Sequence, residues 1–285
     1  MRATPGSLYP GVVMLAAYLV AGHPGAAVSP PANPEGGRVA SAAYTNAYFG
    51  LSYPLPADWT EGLAGPPASQ SGAYVLASLV PKGELAGTML IAAQDAFFAI
   101  KPFADASEMT AEFAREIANI PGMTIDRAPA PMRIAGHDFS RVDFSGVGLY
   151  RAMLVTERRC HFVSFNLMTR SPKELASLAA GLDRLSFAAE NEASVPACMK
   201  DYAVGENVLH KVEPVAAGPR FTPIPVRIII GSDGGVAHVH VIRATPEQRK
   251  SIEDALRQWK LKPYETKGRA VALETGLVFE FKPTN

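Results

Sequence analysis

Residues 224–243 read IPVRIIIGSDGGVAHVHVIR, and this stretch decides the fold of the last third of the chain. Two β-branched runs, Ile224–Ser232 and Val236–Arg243, meet at Ser232-Asp233-Gly234-Gly235. Asp-Gly supplies the positive φ angles of a tight primed turn, so the pattern predicts an antiparallel hairpin. Thr245 then stands as N-cap before Pro246, at a first helical position that tolerates a missing N–H. Ile252, Leu256 and Trp259 follow at intervals of four and three, one apolar stripe. Lys262-Pro263 stops the helix, and Ala270–Phe281 reads as a closing strand. No polar residue of this strand–strand–helix–strand module is placed as a catalyst.

The order of these residues resembles the C-terminal domain of the TonB energy-transducer family. The likeness begins with Leu209-His210-Lys211-Val212-Glu213-Pro214 and continues through Ile229–Val236 and Val239–Arg243. Ala255-Leu256-Arg257-Gln258-Trp259-Lys260-Leu261-Lys262-Pro263 carries it further, and Gly268–Val271 with Phe279-Glu280-Phe281 completes it. The family usually continues the first motif with Tyr-Pro and a short helix, where this chain has Val215–Pro219. The resemblance implies contact with an outer-membrane receptor through pairing of an edge strand with an extended receptor segment.

Upstream, residues 1–27 read as an export signal. Arg2 is the one charge, Gly11–Gly22 is an uncharged apolar run, and Gly25-Ala26-Ala27 offers small residues for cleavage. The run is about a dozen residues, short of the roughly 20 that cross a bilayer as a helix. No later segment is apolar enough to span, so no membrane span is expected after cleavage, and a periplasmic or secreted bacterial location follows. Residues 28–43 read as a Pro/Gly-rich linker and 189–204 as a second linker. Between them 44–188 forms one domain, and 205–285 forms the other.

The first domain is expected as an antiparallel sheet with flanking helices, giving an α+β chain of two domains. Tyr48–Pro56, Ala73–Val80, Thr88–Asp95, Met132–Phe144, Tyr150–Thr156 and Cys160–Met168 are its strand-like runs. Met109, Phe113, Ile117 and Ile120 mark a helix over Ser107–Asn119. A second helix starts at Pro172, with Ser171 as N-cap and a stripe of Leu175, Leu178, Leu182 and Leu185. Tyr48-Phe49-Gly50, Pro56-Ala57-Asp58-Trp59 and the closing Leu185-Ser186-Phe187 are similar to the PsbP-like fold.

With 27 basic and 27 acidic residues the chain has no net charge, and no basic stripe points to nucleic acid. In an oxidising compartment Cys160 and Cys198 either pair as a disulfide or remain separate thiols, and sequence does not supply their distance. His238 and His240 share a strand face, opposite the apolar Val239 and Val241, and are placed towards solvent without a third ligand; no metal and no cofactor are expected. Gly136-His137-Asp138 reads as a β-turn joining two short strands. Cys160 and His161, adjacent on a strand, point to opposite faces, so no nucleophile–base pair is expected. An enzyme is therefore not expected.

These readings lead to an exported interaction protein with an envelope protein as partner, in the resemblance an outer-membrane receptor; a homodimer is the other occupant of the same edge. The contact strand is Leu277, Val278, Phe279, Glu280, Phe281 and Lys282. Energy transduction is not expected, because the family couples to its motor through an anchored helix carrying a histidine, and Gly11–Gly22 has none. The alternative is a periplasmic carrier of a small ligand or lipid, with a cavity lined by Phe97, Phe98, Phe103 and Phe113.

Overall fold

The computed structural model describes residues 33–83, 87–188, 195–215 and 223–281. The export signal and Lys282 lie outside these residues. The first linker was expected to run to residue 43, yet its described part already carries structure: β1 (Arg38–Ala40) pairs with β2 (Ala43–Asn46). The strand expected over 48–56 shortens to β3 (Leu51–Pro54), because Gly50 takes φ +63° and turns the chain back from β2. Tyr48 and Phe49 are buried in that turn.

Next come β4 (Trp59–Glu61), β5 (Ala73–Pro81), β6 (Gly87–Asp95) and α1 (Ala106–Ala118). They are followed by β7 (Met123–Ile134), β8 (His137–Gly146), β9 (Leu149–Arg158), β10 (His161–Thr169), α2 (Pro172–Ala180) and β11 (Ser186–Phe187). Strands β4-β5-β6-β10-β9-β8-β7 form a seven-stranded antiparallel sheet, and β1-β2-β3-β11 a smaller one. Three hairpins of the large sheet turn on residue pairs that are both left-handed: Ala135-Gly136, Val147-Gly148 and Arg159-Cys160. Such turns match the twist of the flanking strands. The turn expected at Gly136-His137-Asp138 is thus centred on Ala135-Gly136, with His137 and Asp138 already in β8, and Cys160 sits in a turn, not in a strand.

Both helices cap as their sequences require. Asp105 accepts from the Glu108 N–H at 2.8 Å to start α1, and Ser171 accepts from the Glu174 N–H at 3.2 Å to start α2. Ala106 and Ala114 of α1 cover Val142, Met153, Val155 and Phe162 on one sheet face. Leu175, Leu178 and Ala179 of α2 share the other core with Leu154, Phe165, Leu167, Tyr44 and Tyr53. The four phenylalanines of the carrier reading fall into two separate pairs. Phe103 and Phe113 pack edge-on to Phe162 and Phe144, whereas Phe97 and Phe98 turn towards the second domain.

The second domain begins inside the expected second linker, with β12 (Ala197–Cys198) and the buried Tyr202. It continues with β13 (Val208–His210), β14 (Ile224–Ile230), β15 (Val236–Val241), α3 (Pro246–Leu256), β16 (Lys260–Leu261), β17 (Tyr264–Thr266), β18 (Arg269–Val271) and β19 (Leu273–Phe279). The main sheet has the order β12-β19-β14-β15, with β12 parallel to β19 and the other pairs antiparallel. In the β14–β15 hairpin only Gly234 has positive φ, at +78°, so the expected primed turn is replaced by a turn with a bulge near Ile230. A Cβ on Gly234 would also meet the Leu261 carbonyl oxygen at 2.1 Å.

α3 has the capping box of Thr245 and Gln248 and buries Ile252, Ala255 and Leu256. Trp259 lies just past the helix, 3% exposed, and its Nε1–H donates to the Val212 carbonyl at 2.8 Å. With Val226, Ile228, Ile230, Val241 and Leu273 these residues form one core. Residues from 31 onward cluster as a single compact unit, so the two α+β domains are packed on each other.

Candidate functional site

The alternation of the second sheet explains where its polar residues go. Val226, Ile228 and Ile230 face α3, so Arg227 must face the other way. Register places His240 beside Arg227 on β15 and Glu274 beside Ile229 on β19, all on that second face. The face does not meet solvent. It lies against Asp95 at the end of β6, His161 at the start of β10, and Tyr48. Arg227, 2% exposed, donates from Nη1 to Asp95 and from Nε to Glu274 Oε1 at 3.2 Å. Its guanidinium also lies 4.7 Å from the Phe97 ring centroid. The Tyr48 hydroxyl donates to Glu274 at 2.9 Å, and Phe97 N–H donates to Asp95 at 2.7 Å. Gly276 completes the contact: a Cβ there would meet Phe97 Cβ at 2.8 Å and Phe98 Cζ at 2.9 Å.

Burial raises the Asp95 pKa above the usual carboxylate range, against the opposing pull of Arg227. His161 is packed among Tyr48, Phe49 and Tyr74, and its Nδ1–H donates to the Arg159 carbonyl at 2.7 Å. Burial first, and the Arg227 charge second, push its pKa well below the imidazole range. A neutral ring whose Nε2 lies 3.7 Å from Asp95 makes no ion pair there. The group resembles an acid–base cluster in its residue types, but its members are spent on one another and closed off by the two domains.

His240 corrects the expectation of two solvent-facing histidines. It is 7% exposed, and its Nε2 lies 3.3 Å from Glu35, while His238 lies 3.3 Å from Asn33 Oδ1. Burial opposes the charge of Glu35, yet the His240 hydrogen bond and charge leave its pKa below the ordinary value. Cys160 and Cys198 form a disulfide between the β9–β10 turn and β12, with Cα atoms 5.7 Å apart.

Among the described residues, an open groove of about 1060 Å³ runs along the outer edge of β19. Trp259 and residues Leu277–Phe281 line one side; Ala203, Val204, Gly205, Val208, Lys211, Glu213 and Pro214 line the other. β12 covers only the start of this edge, with Ala197 N–H donating to Ala272 O at 2.9 Å and Met199 N–H to Glu274 O at 3.1 Å. Since Ala272 and Glu274 turn their backbone groups outward, the period of two turns those of Gly276 and Val278 outward as well. Among the described residues no strand pairs with this second half of the edge.

The candidate contact residues divide at this edge. Leu277, Phe279 and Phe281 pack partly against the core, while Val278 is 55% exposed. β19 ends at Phe279, so Glu280 and Phe281 extend the groove wall beyond the strand. The sequence reading missed the opposite wall at 203–214. Val204 on that wall is apolar yet more than half exposed, which only the fold reveals.

No family model matches the chain, and no curated protein matches it. Among solved structures, the cyanobacterial PsbP (CyanoP) of Synechocystis sp. PCC 6803 is similar over 52% of this chain and 95% of its own, at 12% identity and a TM-score of 0.37. The TonB C-terminal domain of Pseudomonas aeruginosa is similar over 27% of this chain and 86% of its own, at 23% identity and a TM-score of 0.23. LpqN, involved in cell envelope biogenesis of Mycobacterium tuberculosis, is similar over 47% of this chain and 78% of its own, at 14% identity and a TM-score of 0.30. These are weak structural resemblances.

Proposed function

We propose that this is an exported, non-enzymatic protein of the bacterial envelope that binds an extended segment of an envelope protein along the outer edge of β19. The observation that carries the reading is the half-covered edge beside an apolar groove. Outward backbone groups of Gly276 and Val278 supply main-chain hydrogen bonds to a guest strand, and alternate guest side chains enter the groove over Leu277, Phe279 and Trp259. A guest with apolar residues at every second position suits that lining. Export is supported by the short apolar run near the N-terminus, and the Cys160–Cys198 bridge fits an oxidising compartment.

Asp95, Arg227 and Glu274 support a non-enzymatic role, since they are engaged with one another between the domains. Contact without energy transduction accords with an apolar run that carries no histidine. The test is capture of envelope proteins by the folded chain and by Val278→Pro and Val278→Ala variants. Proline removes the outward N–H and should abolish capture of the partner, whereas alanine should retain it. Equal capture by a folded Val278→Pro chain would sink the strand-pairing reading.

A further inference from the structure

We propose that the Cys160–Cys198 disulfide gates the strand edge: its reduction releases β12 and lengthens the edge offered to a partner. The gating function rests on the edge-binding reading above, although the release of β12 can be measured without any partner.

β12 is two residues long and lies on β19 at Leu273 and Glu274, the same edge that is open at Gly276 and Val278. It therefore occupies the positions a longer guest strand would take. Two tethers hold this segment. On one side Cys198 is bonded to Cys160 in the left-handed β9–β10 turn of the first domain. On the other, Tyr202 donates its N–H to Thr275 Oγ1 at 3.2 Å and its hydroxyl to the Lys262 carbonyl at 2.9 Å. The second tether is independent of the cysteines. Cutting the first leaves Tyr202 as a pivot and β12 held by its two backbone hydrogen bonds and by the partly buried Ala197 and Met199 against the core. An isolated pair of such bonds is marginal in water.

The chemistry requires a dithiol oxidoreductase as co-reactant. One of its thiolates attacks Cys198 Sγ, the more exposed of the two residues, forming a mixed disulfide and expelling Cys160 as a thiolate that takes a proton. The second thiolate attacks the mixed disulfide, closes the reductant's own disulfide and expels Cys198, which also takes a proton. Two electrons pass to the bridge, and the protein gains two thiols. The outward groups of Ala272 and Glu274 then join those of Gly276 and Val278 in one uninterrupted edge.

Amide hydrogen exchange on the full chain tests this, comparing the oxidised protein, the protein reduced with dithiothreitol, and Cys198→Ser. The Ala197 and Met199 amides, which donate to Ala272 and Glu274, should exchange at least tenfold faster in the reduced protein and in Cys198→Ser. Val226 and Ile228 amides, which face β19 from β14, should keep their protection. Unchanged protection at Ala197 and Met199 in the reduced chain would overturn the gate, whatever the result with Val278→Pro. Loss of protection throughout the second domain would overturn it too, because the bridge would then be a general stabiliser. Tighter capture of the same partner on reduction supports the functional half; faster exchange with unchanged capture overturns that half alone.

Discussion

Arg227→Met should destabilise the protein by about 4 kcal/mol at pH 7, and the size follows from what the guanidinium holds. The Asp95 side chain is 0% exposed and that of Glu274 is 3% exposed, so neither can turn to water when Arg227 is lost. Glu274 keeps the Tyr48 hydroxyl and Asp95 keeps the Phe97 N–H, but their negative charges are then uncompensated. The cheaper escape is protonation of Asp95, whose pKa burial already raises. Holding an acid of unfolded pKa about 3.9 in its neutral form at pH 7 costs about 1.4 kcal/mol for each of roughly three pH units. The result, about 4 kcal/mol, falls within the range of about 3–5 kcal/mol seen when one partner of a buried pair is removed.

The same reasoning fixes the pH dependence. In the variant the folded pKa of Asp95 lies above its unfolded value, so the protonated form favours folding and stability is lost as pH rises. The deficit should therefore shrink to about 1.5 kcal/mol at pH 5. Urea unfolding followed by circular dichroism at pH 5 and pH 7 measures both numbers. Adding Asp95→Asn to Arg227→Met should restore a large part of the loss at pH 7. A loss below about 1 kcal/mol, equal at the two pH values, would mean that the domains do not seal this cluster.

Three further outcomes follow from the same structure. Trp259→Ala should cost about 3–5 kcal/mol in denaturant melts of the whole chain, since it deletes a ring that joins α3, Val212 and Phe279. As pH falls below about 6.5, the unfolded chain takes a proton on His161 that the folded chain refuses, so stability should drop by about 1.4 kcal/mol per pH unit towards pH 5; His161→Phe should flatten that slope, and an unchanged slope would assign it elsewhere. Intact mass of the protein from an envelope fraction should place the mature N-terminus at or near Val28, and a full-length chain there would contradict export with cleavage.

Hairpins, helix caps and the α+β class were legible because they are local. Thr245-Pro246 with Gln248 specifies its own helix start, and IPVRIIIG followed by VAHVHV specifies its own pairing. Alternation also put His238 and His240 on the face opposite Val239 and Val241. It could not say that this face is roofed by Glu35 and Asp95, residues 205 and 132 positions from the histidine and arginine they meet (240 − 35 and 227 − 95). Arg227 inside an otherwise apolar run was the clearest sequence sign that the second face is covered, since an exposed face would carry polar residues more freely. Both stretches expected as linkers carry a short strand, for a related reason. Pro/Gly-rich composition at 28–43 and polar, Ala-rich composition at 189–204 mark chain without its own core, yet β1 pairs with the neighbouring β2 and β12 with the distant β19. At Gly234 the chain uses the longer hairpin loop that ends in a left-handed glycine instead of the two-residue primed turn, a choice the Asp-Gly pair alone does not make.

The most direct measurement of the strand-edge claim is backbone amide exchange of β19 in the free protein and in complex with its captured envelope partner. The Gly276 and Val278 amides should exchange freely in the unbound chain and become protected on binding, while Leu277 and Phe279, turned towards β14, change little. A partner that binds and leaves Gly276 and Val278 as exchangeable as before would contradict the claim and move the contact to the first domain.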